Sequence, residues 1–344
     1  MVSLAKLKKI AVNTGFTLVL PVVIYVLFWV ITSLVPGAIP FGSLSLLVTI
    51  LQNSVLGVLV ALGLCVNMPT GRMDMSAGAV VVLTSIVCSR IALDNGLHIS
   101  AMLLMCIVMA VMLTSITGAA YIALRMPAII ISLGMVIVYE AITGIVFDGQ
   151  GVTALVKDVR LLGYSPYCFV VVVLAMIVFH VVTEHTVFAY GSKLLAGGQS
   201  IAVKMGIREK KNAMMSFALS GVFFGVAATV YVSNYGLVEA ASNMSSASVM
   251  FDSMLPVMIG LILARFSCRA IGVAVAVVSM KMISYGMFCL GFNASVQNVV
   301  SGTFIVILVI VTGRLAMQPE INRVKARARK LEAKGASGAE THVA

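Results

Sequence analysis

Ten apolar segments follow one another along the 344 residues, at 10–35, 43–66, 76–93, 99–124, 127–147, 166–183, 213–235, 249–264, 270–290 and 296–313. A helix needs roughly 20 apolar residues to cross about 30 Å of hydrocarbon, with some latitude for tilt. Water is absent at that depth, so a spanning segment must satisfy its own backbone polar groups, and helices do this. With 61% hydrophobic and 10% charged residues and a mean hydropathy of +1.11, a soluble globular domain is excluded. The sequence therefore predicts an all-α polytopic membrane protein of about ten transmembrane helices. The first segment follows Lys6, Lys8 and Lys9 but exceeds the ~7–15 apolar residues of a signal peptide, so it reads as an uncleaved span. The eighth is interrupted by Asp252 and Pro256, which predicts a broken or partial helix.

The net charge of +11 and pI near 9.5 would suit a polyanionic partner, but the positions of the charges argue otherwise. With a cytoplasmic N-terminus, the inner segments hold Lys6, Lys8, Lys9, Arg72, Arg125, Lys193, Lys204, Arg208, Lys210, Lys211, Arg265 and Arg269. Seven more basic residues lie in the tail at 314–344, making 19 of the 23 Lys and Arg. An excess of Lys and Arg on cytoplasmic loops sets orientation, so both termini are expected inside and no nucleic-acid partner is needed. The tail reads as a basic surface helix near anionic lipid, disordered from residue 335 onward. Six cysteines stand singly, without metal-ligand spacing, and read as buried free thiols.

Between the sixth and seventh apolar segments lies a polar, glycine-bearing insert at 189–212, inside a cytoplasmic loop at 186–212. Ser200 is a good N-cap and Gly206 a good C′ residue, which predicts a short helix at 201–205 exposing Ile201, Ala202 and Met205 beside Lys204. So short a helix is marginal alone, and its apolar face amid cations suits a partner's groove. An ordinary basic loop is the alternative.

The insert resembles a family. Tyr190-Gly191, Ala196-Gly197-Gly198, Ala202 and Gly206-Ile207, leading into Ser220-Gly221, are similar to the coupling loop of permease subunits of bacterial ABC importers of the ribose, galactose and nucleoside type. A second match runs from Asn53 through Gly57 and Gly63 to Thr70-Gly-Arg-Met-Asp-Met-Ser-Ala-Gly78. It resembles the asparagine-bearing helix and the Thr-Gly-Gly-Ile-Asp-Leu-Ser-x-Gly turn of sugar-type permeases, with Arg72 in place of the second glycine. Residues 127–134 and Gly291, Gln297, Val300 and Gly302 extend the similarity over most of the chain. It lapses at 260–269, where the family has a glycine-rich turn.

The resemblance implies one transmembrane permease domain over 1–344, in the bacterial inner membrane, translocating a monosaccharide or similar hydroxyl-rich solute. It also implies a second permease subunit, an extracytoplasmic solute-binding protein, and a separate ATP-binding subunit that carries ATP-Mg and meets Gly197, Gly198, Ser200, Ile201, Ala202, Lys204, Met205 and Gly206. The chain itself has no GxxxxGK[ST] loop, HExxH or nucleophile elbow. No catalytic residue, metal site or cofactor is therefore assigned to it. A nucleoside or branched-chain amino-acid permease and an ion-coupled secondary transporter are the alternatives. The last would need membrane-embedded charges, for which Glu140 and Lys281 are a thin relay.

Asn53, Asp74, Ser76, Glu140, Asn293 and Asn298 are the candidates for a translocation pathway or gate. Asp74 has a second reading, since it can accept free N–H groups where a helix starts near Ser76. Glu140 stands inside the fifth segment and needs compensation there, either from Lys281 in the ninth segment or from the polar pathway. The segment 148–165 is an outer loop that either meets an extracytoplasmic partner or simply connects two spans.

Overall fold

The computed structural model describes residues 4–37, 39–153, 160–264 and 267–293, together with 295–297, 299 and 303. Its contacts fall into two units, 1–292 and 293–344. In the second, Asn293 Oδ1 accepts the Val296 N–H at 3.0 Å. Most of the tenth apolar segment and the basic tail lie outside the described residues, as does Asn298.

The first unit is built of α-helices: α1 Leu4–Leu34, α2 Leu44–Asn67, α3 Ala77–Asp94, α4 Ile99–Leu124, α5 Ala128–Ile145, α6 Tyr167–His185, α7 Val187–Gly197, α8 Gln199–Lys204, α9 Glu209–Tyr235, α10 Ala247–Leu263 and α11 Arg269–Cys289. Two-residue strands β1 (Val152–Thr153) and β2 (Leu237–Val238) pair antiparallel. Among the described residues, eight helices are long and apolar enough to cross a membrane, and α10 is a shorter apolar helix. Of the broken or partial helix expected at Asp252 and Pro256, the structure shows the partial form and no break. α10 is one continuous helix of 17 residues with Pro256 inside it, short of a full crossing because its N-terminus is preceded by an irregular segment.

Helix α2 occupies the middle. Residues 54–67 are buried all round, the pattern of a helix enclosed by others, and α6, α9, α10 and α11 pack on it. α1 and α6 instead leave Val22, Val23, Leu27, Val173 and Leu174 exposed, which suits lipid contact. α4 and α9 pack along their length, and small residues explain how. A Cβ at Gly221 would lie 2.7 Å from Val111 Cα, and one at Gly225 2.5 Å from Ile107 Cα. The pair forms Gly-x-x-x-Gly on one face of α9, the spacing that lets membrane helices approach closely.

The molecule has two ends. Residues 70–73, 121–122 and 125–129, with Gln199 and the start of α9, surround one cavity, so the loops after α2, after α4 and around α8 share an end. At the other, β1 meets β2, and Gly163 packs against the Ser233 carbonyl near the end of α9.

Candidate functional site

Glu140 lies on α5 and is 4% exposed. It does not pair with Lys281, whose Nζ lies 3.6 Å from Asp252 Oδ2 on α10 instead. Glu140 Oε2 accepts the Met244 N–H at 2.7 Å, and Oε1 accepts the Ser246 N–H at 2.9 Å and the Ser246 hydroxyl at 2.5 Å. One turn further along α5, Thr143 Oγ1 accepts the Ala241 N–H at 3.0 Å, and its single proton has two acceptors in reach, the Glu140 carbonyl at 2.7 Å and the Ala241 carbonyl at 3.1 Å. The segment between β2 and α10 is non-helical, with Asn243 and Met244 at positive φ, so its backbone groups need partners from elsewhere. Two side chains on one face of α5 supply them. The spacing of three between Glu140 and Thr143 is a visible signal in the sequence; the segment they hold is not.

This segment reaches the first turn of α3. A Cβ on Gly78 would stand 2.0 Å from the Ser246 carbonyl oxygen, so the last residue of the Thr70–Gly78 motif must lack a side chain for the segment to seat there. Beside that contact, Asp74 is 2% exposed. Its Oδ1 accepts the Ser76 N–H at 2.9 Å and the Ser76 hydroxyl at 2.6 Å, folding the chain into the start of α3. Its Oδ2 has no hydrogen-bond partner among the described residues, and Asp74 lines a small cavity with Leu64, Met68, Met73, Met75, Met250 and Met254. The structure thus brings Asp74, Ser76 and the start of α10 together. Asn53 stands apart, donating from Nδ2 to the Tyr285 hydroxyl at 2.6 Å and the Thr49 carbonyl at 3.1 Å.

Arg72, the residue at the family's second glycine, is 4% exposed. Its Nη1 donates to Asn212 Oδ1 at 3.1 Å, and Asn212 Nδ2 donates to Ser192 Oγ of α7 at 3.0 Å. Arg72 Nη2 lies 4.0 Å from Glu209 Oε1, which also accepts a hydrogen bond from Gln199 of α8. The guanidinium sits over the Tyr121 ring, 6.0 Å from its centroid. A buried cation therefore ties the Thr70–Gly78 turn to both α7 and α8. The partners Ser192, Gln199 and Asn212 lie over a hundred positions away and carry no sequence signal for this contact.

In the 186–212 segment the helix at 201–205 is displaced. α8 covers Gln199–Lys204, its N-cap is Gly198 and Ser200 lies inside it; Gly198 at φ +155 turns the chain out of α7 before Ser200 is reached. Ala202, expected to be exposed, is 1% exposed, while Ile201 and Met205 are 63% and 62% exposed. At the C-terminus Gly206, at φ +90, donates to the Val203 carbonyl at 3.0 Å, and Ile207 donates to the Ala202 carbonyl at 3.1 Å. This is a Schellman motif, and the Ala202 side chain turns inward with it. α7, an 11-residue helix capped by Thr186 Oγ1 on the Ala189 N–H, was not predicted. Glu184 at the end of α6 pairs with Lys193 of α7 and with Arg269 at the start of α11, so α7 and α8 are mounted on the bundle. Lys204 and Gly197 are exposed on this mount. Among the described residues no cluster of His, Cys, Asp or Glu could hold a metal ion.

Residues 46–309 match the family described as branched-chain amino acid transport system / permease component. The Autoinducer 2 import system permease protein LsrC of Enterobacter sp. (strain 638) is 27% identical over 62% of this chain and 63% of its own length, so the chain spans somewhat under two thirds of that relative. The galactose/methyl galactoside import permease protein MglC of Escherichia coli (strain K12) is 25% identical over 83% of this chain and 92% of its own length. The ribose import permease protein RbsC of Bacillus subtilis (strain 168) is 25% identical over 83% and 89%. With the match spanning α2 to the end of α11 and beyond, and import permeases as its relatives, the chain belongs to the permease-component family of these transport systems.

Proposed function

We propose that this chain is the membrane-spanning subunit of an ATP-driven importer in a bacterial inner membrane, carrying a monosaccharide or similar hydroxyl-rich solute received from an extracytoplasmic binding protein. The observation that carries the reading is the α7–α8 mount. Ile201 and Met205 project from a helix fixed by its Schellman motif, by Gln199 and Glu209, and by the Glu184 ion pairs. An apolar pair held rigidly on a polar end of the molecule suits insertion into a groove. The groove belongs to a separate ATP-binding subunit that holds ATP-Mg. Ten spans, both termini inside, and a second permease subunit complete the assembly. Its solute class follows the relatives named for autoinducer 2, galactose and ribose import. Asp74 with its unpartnered Oδ2, Ser76 and Asn53 are the residues of this chain proposed to meet or gate the solute, and Asn293 and Asn298 belong to the same proposal.

The test is uptake by proteoliposomes holding the chain, its ATP-binding subunit and its binding protein. Uptake should require internal ATP and the binding protein and ignore ionophores. Uptake driven by an ion gradient without ATP would instead establish a secondary transporter.

A further inference from the structure

At the end of the molecule that carries α7 and α8 there is a cavity of about 690 Å³, walled by the turn after α2, the α4–α5 junction and the start of α9. Arg72, Arg125 and Lys210 line it, against one acid, Glu209. Glu209 is already engaged by Gln199 and Arg72, whereas Arg125 and Lys210 have no acidic partner among the described residues. Arg125 is held in left-handed backbone at φ 54 as the C-cap of α4, a conformation that non-glycine residues seldom adopt. The first turns of α5 and α9 also open on the cavity, and neither has a side-chain cap, so their free N–H groups add positive potential to that of the side chains. Apart from Thr70 and Gln199, the remaining wall is largely apolar. Ile122, Met126 and Ile129 line the cavity, and Met126 and Ile129 are exposed beside Leu124 and Ile130.

We propose that this cavity binds the phosphate group of an anionic phospholipid from the leaflet at that end of the molecule. A phosphate diester offers the negative charge and acceptor oxygens that two free cations and uncapped N–H groups can satisfy. The α4–α5 junction joins two bilayer-crossing helices, so it lies at the level where hydrocarbon gives way to head groups, and the exposed aliphatic rim receives the first part of the acyl chains. A free phosphate ion has the same chemistry but no use for that rim. The proposal stands on the membrane location alone and survives failure of the importer reading.

The experiment uses the full chain with whatever subunits co-purify, taken from nanodiscs of equimolar phosphatidylglycerol and phosphatidylcholine, with retained lipid counted by native mass spectrometry. The wild type should retain phosphatidylglycerol in roughly thirtyfold preference, as two basic residues at a membrane surface provide. R125Q/K210Q should lose the preference while eluting as the same folded species. R125K/K210R should keep it, and R90Q, at the other end, should leave it unchanged. Equal retention of both lipids by the wild type overturns the proposal. So does displacement of phosphatidylglycerol by millimolar inorganic phosphate, which would show that the site takes a free anion. Loss of co-purifying subunits from R125Q/K210Q with lipid preference intact would assign the cations to a protein partner, and it overturns the proposal too.

Discussion

The N–H groups of Met244 and Ser246 both point at Glu140, and that fixes what a substitution there must do. Glutamine offers one acceptor oxygen and an NH₂ group that can only donate, so in Glu140→Gln one buried donor faces another. An unsatisfied buried donor costs about 1–3 kcal/mol. Glu140→Gln should therefore lower the thermal midpoint of the purified protein, and Thr143→Val should do so by less, since its hydroxyl satisfies a single N–H of the segment, that of Ala241, and otherwise lies against carbonyls of Glu140 and Ala241. Lys281→Met should not rescue Glu140→Gln. The two effects should add within about 0.5 kcal/mol, as for sites without a shared partner, and a rescue would mean that Lys281 reaches Glu140 after all. The sequence alone made Glu140 conspicuous, because an acid inside an apolar run demands compensation, and it made Lys281 the natural partner. It could not supply the real one. Backbone N–H groups are identical at every residue, so a carboxylate satisfied by the backbone leaves no complementary letter to find.

Among elements, the long helices were legible and the short ones were not. α4 begins and ends where hydropathy placed it, because a span must be continuous and apolar to satisfy its own backbone. α7 and the segment before α10 are set by tertiary partners, Glu184 in one case and Glu140 with Thr143 in the other, so local pattern could not draw them. α8 lies between these cases. Gly206 announced the C-terminus, whereas Ser200 was misread as the N-cap because Gly198 closes α7 first. Two substitutions follow at this scale. Met205→Asp should abolish solute uptake with expression and thermal midpoint unchanged, because the side chain is exposed in the permease and desolvated only against a partner. Uptake at the wild-type rate would make α8 a mere connector. Gly225→Leu should have the opposite signature, a loss of folded protein, since the side chain would enter the backbone of α4 near Ile107 and overpacking costs about 1–3 kcal/mol or more.

For the molecule as a whole, the pairing of loops decides how the basic residues are distributed. Arg72, Arg125 and Lys210 meet at one cavity. Lys193 and Arg269 join the same end through Glu184, and Lys204, Arg208 and Lys211 belong to the adjoining α8–α9 stretch. The other end, marked by β1, β2 and the contact of Gly163 with Ser233, has few basic residues; Arg90 is paired there with Asp94 and Arg160 stacks on Tyr164. Lys and Arg resist translocation across the membrane, so the crowded end should face the cytoplasm. The prediction is tested by labelling single cysteines in intact cells with a membrane-impermeant maleimide, after replacing the six native cysteines. Ser200→Cys on α8 should be protected until the membrane is opened, and Gln150→Cys, exposed near β1, should react at once. Lys204→Cys gives a second reporter on the α8 side and should follow Ser200→Cys. The reverse pattern would invert the protein, place α8 outside the cell and remove it from any ATP-binding subunit. Labelling at both ends would show that the number of spans between β1 and α8 is even, which α6 alone cannot provide.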